Sequence, residues 1–324
     1  MTIQPIDLDR PGDLIAGLHD VYVAGNSHDP GPMPSLPHFR TQVGIDKPGW
    51  RHEVWVELED GKVVGGYGLG LPQLDNIHVG NLYPLVVRPE RRGRGLGTAL
   101  FEHAVGRLRA HGRRLLITET PAAGIGAHFA RVRGMTPGLA EARRTLDLRM
   151  ADWGALERMV PEVDGYSLER WIGPARPELL PDVATLMNGM NDAPRAPGVE
   201  DQDFSLERVR GDEESMPAGA MTGYSTIARR DADGAPAGLT RIYLNDDRSG
   251  GWGEQGDTLV LREHRGHRLG LLIKLANLLW LREREPRIER VITWNATSNT
   301  HMLAINEAMG FELLDEWNEW QLTV

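Results

Sequence analysis

The sequence predicts an α/β sandwich, present twice in tandem. Two observations carry that expectation. Short apolar, β-rich runs alternate with helical stretches along the chain, the pattern of a layered α/β fold. The pattern then recurs: Val87-Arg88-Pro89-Glu90-Arg91-Arg92-Gly93 lines up with Val260-Leu261-Arg262-Glu263-His264-Arg265-Gly266 at an offset of 173 (260 − 87). The same offset carries Asp60-Gly61 onto Asp233-Gly234. Both Asp-Gly pairs lie between β-rich runs and predict hairpin turns. Two landmarks at one offset indicate a duplicated unit. The 324 residues accommodate two domains of roughly 150 each. We expect them at 1–155 and 165–324, because the stretch MADWGALERMVPEVDGYS breaks the pattern between them.

Each half reads alike in order. A helix is expected over about 13–24, then a Pro-rich loop at 26–38, NSHDPGPMPSLPH, too polar and rigid for a core. The hairpin strands fall near 53–58 and 63–69. A further strand leads through a Gly-rich turn into a helix over 96–110, a strand at 114–118, a short helix and a closing strand. The second half gives a helix over about 178–190, a Pro-rich loop at 191–199 and hairpin strands at 225–229 and 237–244. A helix over 269–284, a strand at 290–294, a short helix and a closing strand complete it.

Composition excludes several function classes. Hydrophobic residues make up 40%, enough for sizeable cores. The longest apolar candidate, 269–281, is interrupted by Lys274 and Asn277 and falls short of a membrane span. The N-terminus has no basic segment followed by an apolar one, so no signal peptide is expected. The absence of cysteine excludes thiolate catalysis and suits a reducing cytoplasm. A formal charge of −10 provides no basic field for nucleic acid. No metal site is expected.

The repeated turn carries the chemistry. Arg92-Gly93-Arg94-Gly95-Leu96-Gly97 follows an apolar strand and opens a helix. Glycines let backbone N–H groups approach a ligand without a Cβ in the way. At a helix N-terminus those groups and the helix dipole favour a phosphate or pyrophosphate, and nearby arginines add charge-assisted hydrogen bonds. No Gly-Lys-Ser/Thr is present, so a nucleoside-triphosphate loop is excluded. The loop does not open the first βαβ unit and no acidic residue follows suitably, which argues against a dinucleotide site.

Val87-x-Pro89-x-x-Arg92-Gly93-Arg94-Gly95-Leu96-Gly97 resembles the acyl-CoA loop of the GNAT superfamily of N-acetyltransferases, and the resemblance extends over both halves in the layout of tandem-GNAT proteins. It implies that each domain is a mixed, mostly antiparallel sheet flanked by helices, with acetyl-CoA in a V between two splayed central strands. The pyrophosphate would rest on the amides of 92–98 (Arg92, Gly93, Arg94, Gly95, Leu96, Gly97, Thr98) and of 265–271, including Arg265, Gly266, His267, Arg268, Leu269 and Gly270. The pantetheine would pair with the strand ending at Val87 or Val260. In the second copy Arg268 replaces the middle glycine; it keeps its N–H available if its φ is helical. The family's later landmark, Asn-x-x-Ala-x-x-Leu-Tyr-x-x-x-Gly-Phe, matches Asn299, Met302, Ile305, Asn306, Gly310 and Phe311 in the second half, with Asn306 where the tyrosine would protonate the thiolate. The first half, Ala123 to Met135, lacks both the asparagine and the tyrosine.

Acyl transfer to an amine needs a base, because an alkylammonium has a pKa of about 10. It also needs a donor for the oxyanion, supplied in the family by a strand N–H near Val87 or Val260. The base of histone-acetylating members lies six residues before the loop-proximal apolar residue. That position holds Glu254 in the second half and Asn81 in the first. Glu254 is therefore the expected base, Asp257 its substitute and Asn306 the thiolate donor. His78, Tyr83 and Glu119 are weaker candidates in the first half, and Asn295 is weaker than Asn299. The resemblance implies an N-acetyltransferase using acetyl-CoA, with a small-molecule primary amine as partner. Asp192, Glu200, Asp201 and Asp203 are candidate attractors for that cation. Two other functions stay open at this point: an acyl-CoA-binding scaffold without turnover, and a protein lysine or N-terminal acetyltransferase.

Overall fold

The computed structural model describes residues 2–44 and 49–324. In chain order the elements are β1 (Ile3–Pro5), α1 (Leu14–Gly25), α2 (Leu36–Val43), β2 (Trp50–Glu59), β3 (Lys62–Pro72), β4 (Val79–Val87), α3 (Leu96–Ala110), β5 (Leu115–Pro121), α4 (Ile125–Val132) and β6 (Thr136–Asp147). The second half continues with α5 (Trp153–Met159), β7 (Tyr166–Ile172), α6 (Leu180–Asn188), α7 (Leu206–Ala218), β8 (Met221–Arg230), β9 (Pro236–Asn245), β10 (Trp252–Val260), α8 (Leu269–Arg284), β11 (Arg290–Ala296), α9 (Thr300–Ala308) and β12 (Glu312–Thr323). Three helices, α2, α5 and α7, fall where the sequence pattern indicated none. Ser35 caps α2 by accepting from the His38 N–H, with Pro37 in the first turn, where a missing N–H costs nothing. Ser205 likewise caps α7, accepting from the Arg208 N–H. That helix is too polar for its periodicity to stand out.

The chain forms two compact units, Met1–Leu139 with Ala196–Asp201 and Trp317–Val324, and Ala140–Arg195 with Gln202–Glu316. Each contains the expected mixed, mostly antiparallel sheet flanked by helices. In the first unit β1, β2, β3 and β4 are antiparallel neighbours, β4 and β5 are parallel, and the end of β12 closes the sheet antiparallel to β5. In the second, β7, β8, β9 and β10 are antiparallel, β10 and β11 are parallel, and β6 closes the sheet on β11.

The closing strands are therefore exchanged: each half of the chain closes the other half's sheet. Both strands carry a bipartite core pattern. Met135, just before β6, is buried in the first unit's core, while Leu146 and Leu148 are buried in the second's. Phe311, just before β12, belongs to the second core and Trp320 to the first. Alternation along a strand shows which face is buried. It carries no information on whose core does the burying, so the exchange is invisible at the level of pattern.

One of the buried polar groups is a lysine. Lys274 on α8 is 1% exposed, with its Nζ 5.4 Å from the centre of the Phe311 ring. Its counterpart at the repeat offset is Phe101 on α3, which packs edge-on against Phe129. Burial pushes the Lys274 amine down to about 7 from 10.5. Below about pH 7 the folded state must hold the charge, at a cost of roughly 3–5 kcal/mol. Between about 7 and 10.5 the unfolded chain binds a proton that the folded chain does not, so stability rises with pH across that window. Lys274→Met should raise the neutral-pH Tm and flatten its rise from pH 7 to 10. Thermal melts across that range check this, and parallel wild-type and variant curves would refute it.

Candidate active sites

The parallel strand pair of each unit parts partway along. In the first, β4 and β5 pair at Val79↔Leu115, Gly80↔Leu116 and Asn81↔Ile117, and no further. The cause is a bulge. Leu82 faces Leu69 and Leu85 faces Tyr67, leaving Tyr83 and Pro84 opposite Gly68 alone. A Cβ at Gly68 would lie 2.5 Å from the Tyr83 carbonyl oxygen, so only glycine fits there. The Thr118 hydroxyl donates to the Leu82 carbonyl at 2.7 Å, at the apex of the V. In the second unit the pairing runs from Trp252↔Arg290 to Gln255↔Thr293 and stops at a bulge holding Gly256 and Asp257. A Cβ at Gly256 would sit 2.5 Å from the Tyr243 ring. The two bulges stand at the repeat offset.

Behind each V lies the glycine turn. Gly93 and Gly95 take φ of 74° and 83°, and the space where their Cβ atoms would stand is open. Leu96, 6% exposed, anchors the first turn of α3 in the core, and Gly97 and Thr98 follow in that turn. Arg94 is exposed beside the cradle. Arg92 is a brace: its Nε donates to the Val87 carbonyl at 3.2 Å and its Nη2 to the Gly25 carbonyl at 3.0 Å. The second copy reproduces that brace, with Arg265 Nε donating to the Val260 carbonyl at 3.0 Å. There, however, Arg265 and Arg262 both pair with Asp192, at 2.7 and 2.8 Å. Asp192 is thus a loop strut, not an attractor for an acceptor.

Gly266 keeps φ 86° with open space around it. Arg268, whose N–H would stay available with a helical φ, is left-handed at φ 60°, ψ 18°. The turn into α8 demands the glycine conformation, and an L-residue there costs roughly 1–2 kcal/mol. His267 is exposed, Leu269 is buried at 1% exposure, and Gly270 packs on Ile305. The first cradle is the one of lower strain.

The candidates for chemistry separate by unit. Glu254 is half-buried on β10, opposite Tyr243 of β9 and Ile292 of β11, one residue before the pairing ends. Among the described residues no hydrogen bond or ion pair engages its carboxyl, and burial raises its pKa. Asp257 occupies the bulge, its charge acting on Arg241 and Tyr243. Asn306 is fully buried and donates through Nδ2 to Asn295 Oδ1 at 2.7 Å, while its own Oδ1 has no partner. Asn299 caps α9 by accepting from the Met302 N–H at 3.3 Å, a structural use of its side chain.

In the first unit Asn81 stands at the apex and Tyr83 on the bulge, its hydroxyl donating to Tyr22 at 3.1 Å. His78 precedes β4, with Nε2 2.8 Å from the Gly198 carbonyl. Asn76 accepts from the Glu200 N–H at 2.7 Å. These contacts place residues 196–201, with Glu200 and Asp201, in the first unit.

Glu119 of β5 lies directly across from Glu319 of β12. Burial and the Glu119 charge push Glu319 up to about 7, and burial raises Glu119. Nothing in the sequence signals Glu319, because it reaches the site on the exchanged strand.

A sheet whose parallel pair parts at a bulge, with open space at the next helix N-terminus, is the arrangement that the resemblance to GNAT acyltransferases implied. The family model described as acetyltransferase (GNAT) family matches residues 20–134. A tandem GNAT protein from the clavulanic acid biosynthesis pathway, solved without acetyl-CoA, shares 30% identity and superposes with a TM-score of 0.83, over 99% of this chain and 98% of its own. A GCN5-related N-acetyltransferase from Sphaerobacter thermophilus gives a TM-score of 0.68 at 16% identity, over 99% of this chain and 95% of its own. A putative acetyltransferase from Pyrococcus horikoshii gives 0.61 at 14% identity, over 100% and 89%. The last two show the fold alone. Comparison with curated proteins returned no match. The chain belongs to the GNAT family, in tandem form, and is an acyltransferase of a family that draws on acyl-CoA. Among the described residues no helix is long and apolar enough to cross a membrane.

Proposed function

We propose that the protein is an N-acetyltransferase moving the acetyl group of acetyl-CoA to the primary amine of a small molecule, by direct attack in a ternary complex. We assign the chemistry to the second of two repeats, 1–155 and 165–324. One observation carries that assignment: Glu254 presents a desolvated carboxyl, with no hydrogen bond or ion pair among the described residues, at the apex of the second V. A carboxylate held above its usual pKa is better matched to removing a proton near neutrality. Acetyl-CoA supplies the activated acyl group. The amides of Gly266, His267, Arg268 and Leu269 would cradle its phosphates, and a backbone N–H at the bulge would receive the oxyanion. Asp257, engaged with Arg241, would hold the acceptor's ammonium. Asn306 orients Asn295, which lies nearer the end of β11.

A second assignment has its own support. The first unit pairs the less strained cradle with Glu119 and Glu319, and the latter titrates at about 7. On that assignment Glu319 is the base.

Acetyl-CoA at 100 times its Kd should stabilise the fold by about 2.7 kcal/mol, read as a rise in Tm. An unchanged Tm at saturating acetyl-CoA refutes the function. A panel of amines set against peptides then separates the alternatives. Acetylated peptides with untouched amines would make the protein a protein acetyltransferase, and binding without any product would make it a scaffold.

A further inference from the structure

Three neighbouring side chains on one face of the second sheet bury polar atoms that nothing among the described residues satisfies. Trp171 of β7 lies opposite Ser225 of β8, and Ser225 lies opposite Arg241 of β9. They are 5%, 1% and 5% exposed. Among the described residues the Trp171 indole N–H, the Ser225 hydroxyl and the Nε and Nη2 of Arg241 have no hydrogen-bond partner. Leaving a buried donor unmatched costs on the order of 1–3 kcal/mol, so a row of four is not neutral for the fold.

The scaffold does not require this row. Its counterpart in the first unit is Ile6, Val54 and Gly68. The Ile6 N–H donates to the Val54 carbonyl at 2.8 Å, and Val54 lies opposite Gly68. Ile6 and Val54 belong to an ordinary apolar cluster. The second unit has replaced two apolar side chains and a glycine with three donors.

The donors have a shape. Arg241 Nη1 is paired to Glu213 Oε1 at 2.6 Å, and Glu213 also accepts from the Ala175 N–H at 2.6 Å. That leaves the side edge of the guanidinium, where the Nε–H and one Nη2–H point the same way. This edge matches the two oxygens of a carboxylate. Arg241 lies opposite the β10 bulge and two residues from Tyr243, which faces Glu254. Residues two apart on a strand share a face. Glu254 and Asp257 suit an ammonium, and the Arg241 edge suits a carboxylate. The Glu213 charge disfavours a ligand of net negative charge, so the two ends should belong to one zwitterion.

We propose that the acceptor of the second unit is an amino acid or a close derivative, its carboxylate received by Arg241, Ser225 and Trp171 while its amine faces Glu254. This rests on the acetyltransferase assignment for the identity of the reaction, but the binding itself can be read without turnover.

The test pairs each amino acid with its decarboxylated amine: serine with ethanolamine, ornithine with putrescine, tyrosine with tyramine. At least one amino acid should exceed its amine in kcat/KM by about 100-fold. Ser225→Ala should raise KM for that amino acid about tenfold, the loss of one hydrogen bond of about 1.4 kcal/mol, and so narrow the preference. Arg241→Lys keeps the charge facing Glu213 but loses the fork, and should narrow it further. Equilibrium dialysis of the labelled amino acid against the full chain should show binding that both variants weaken.

Equal use of amino acids and amines, or no binding in dialysis, overturns the proposal and leaves the row to solvent. Binding in dialysis without turnover of any amine upholds the carboxylate site and overturns the acetyltransferase assignment instead.

Discussion

Replacing Trp320 by alanine should cost the first unit about 3–5 kcal/mol, the range for truncating a fully buried tryptophan. The residue is 0% exposed although only four positions from the chain's end. Its ring packs in the core that holds Leu100, Leu116, Ala127 and Met135. The Arg131 guanidinium lies 5.3 Å from its ring centre, and its Nε1 donates to the Thr120 hydroxyl at 2.8 Å. Chain termini ordinarily fray unless tied into a sheet. This one is tied: β12 pairs with β5 from Trp317↔Pro121 to Thr323↔Leu115, and the Val324 N–H donates to the Arg114 carbonyl at 3.0 Å. Deleting residues 317–324 should therefore abolish slow amide exchange in β4, β5 and α3, more than 190 residues away in sequence. Hydrogen exchange read by mass spectrometry measures this. Protection in 79–121 that survives the deletion would mean the first half folds without the exchanged strand.

Glu254→Gln should lower kcat by about 10²- to 10⁴-fold, the usual contribution of a positioned general base, while the Kd for acetyl-CoA stays within a factor of a few. The amide keeps the shape and removes the proton acceptor. The direction of the pH effect follows from the burial of the carboxyl. Its pKa is raised, so kcat/KM in the wild type should climb as pH rises through a value above the ordinary 4.5 and fall below it. Glu319→Gln, measured alongside, distinguishes the units. If Glu254→Gln retains full activity while Glu319→Gln collapses it, the chemistry belongs to the first V and to a base carried on the exchanged strand.

The parts legible in the sequence were those set by local geometry. The Asp-Gly hairpins, the helices opening at Leu96 and Leu269, and the glycine turns before them follow from backbone conformation within a few residues. Position 254 was singled out through the family resemblance, which puts the base six residues before the loop-proximal apolar residue. Arg92 and Arg265 were found as charged neighbours of the cradle. Their use as braces to Val87 and Val260 depends on where a side chain folds back, which spacing does not reveal. Whether Arg268 takes a helical φ was not legible either; the turn has the left-handed conformation at both Gly95 and Arg268.

What the sequence by itself determined is the duplicated α/β unit, with a glycine turn at the start of a helix in each copy. The apolar periods, the turn residues and the 173-residue offset are all short-range or self-similar signals. Only the tertiary structure decided which strand closes which sheet, that Glu119 faces Glu319, and that Trp171, Ser225 and Arg241 form one row. Each of these depends on strand register between distant segments. A strand's alternation is equally satisfied by any partner with a buried face, so the choice is made by the packing of whole cores.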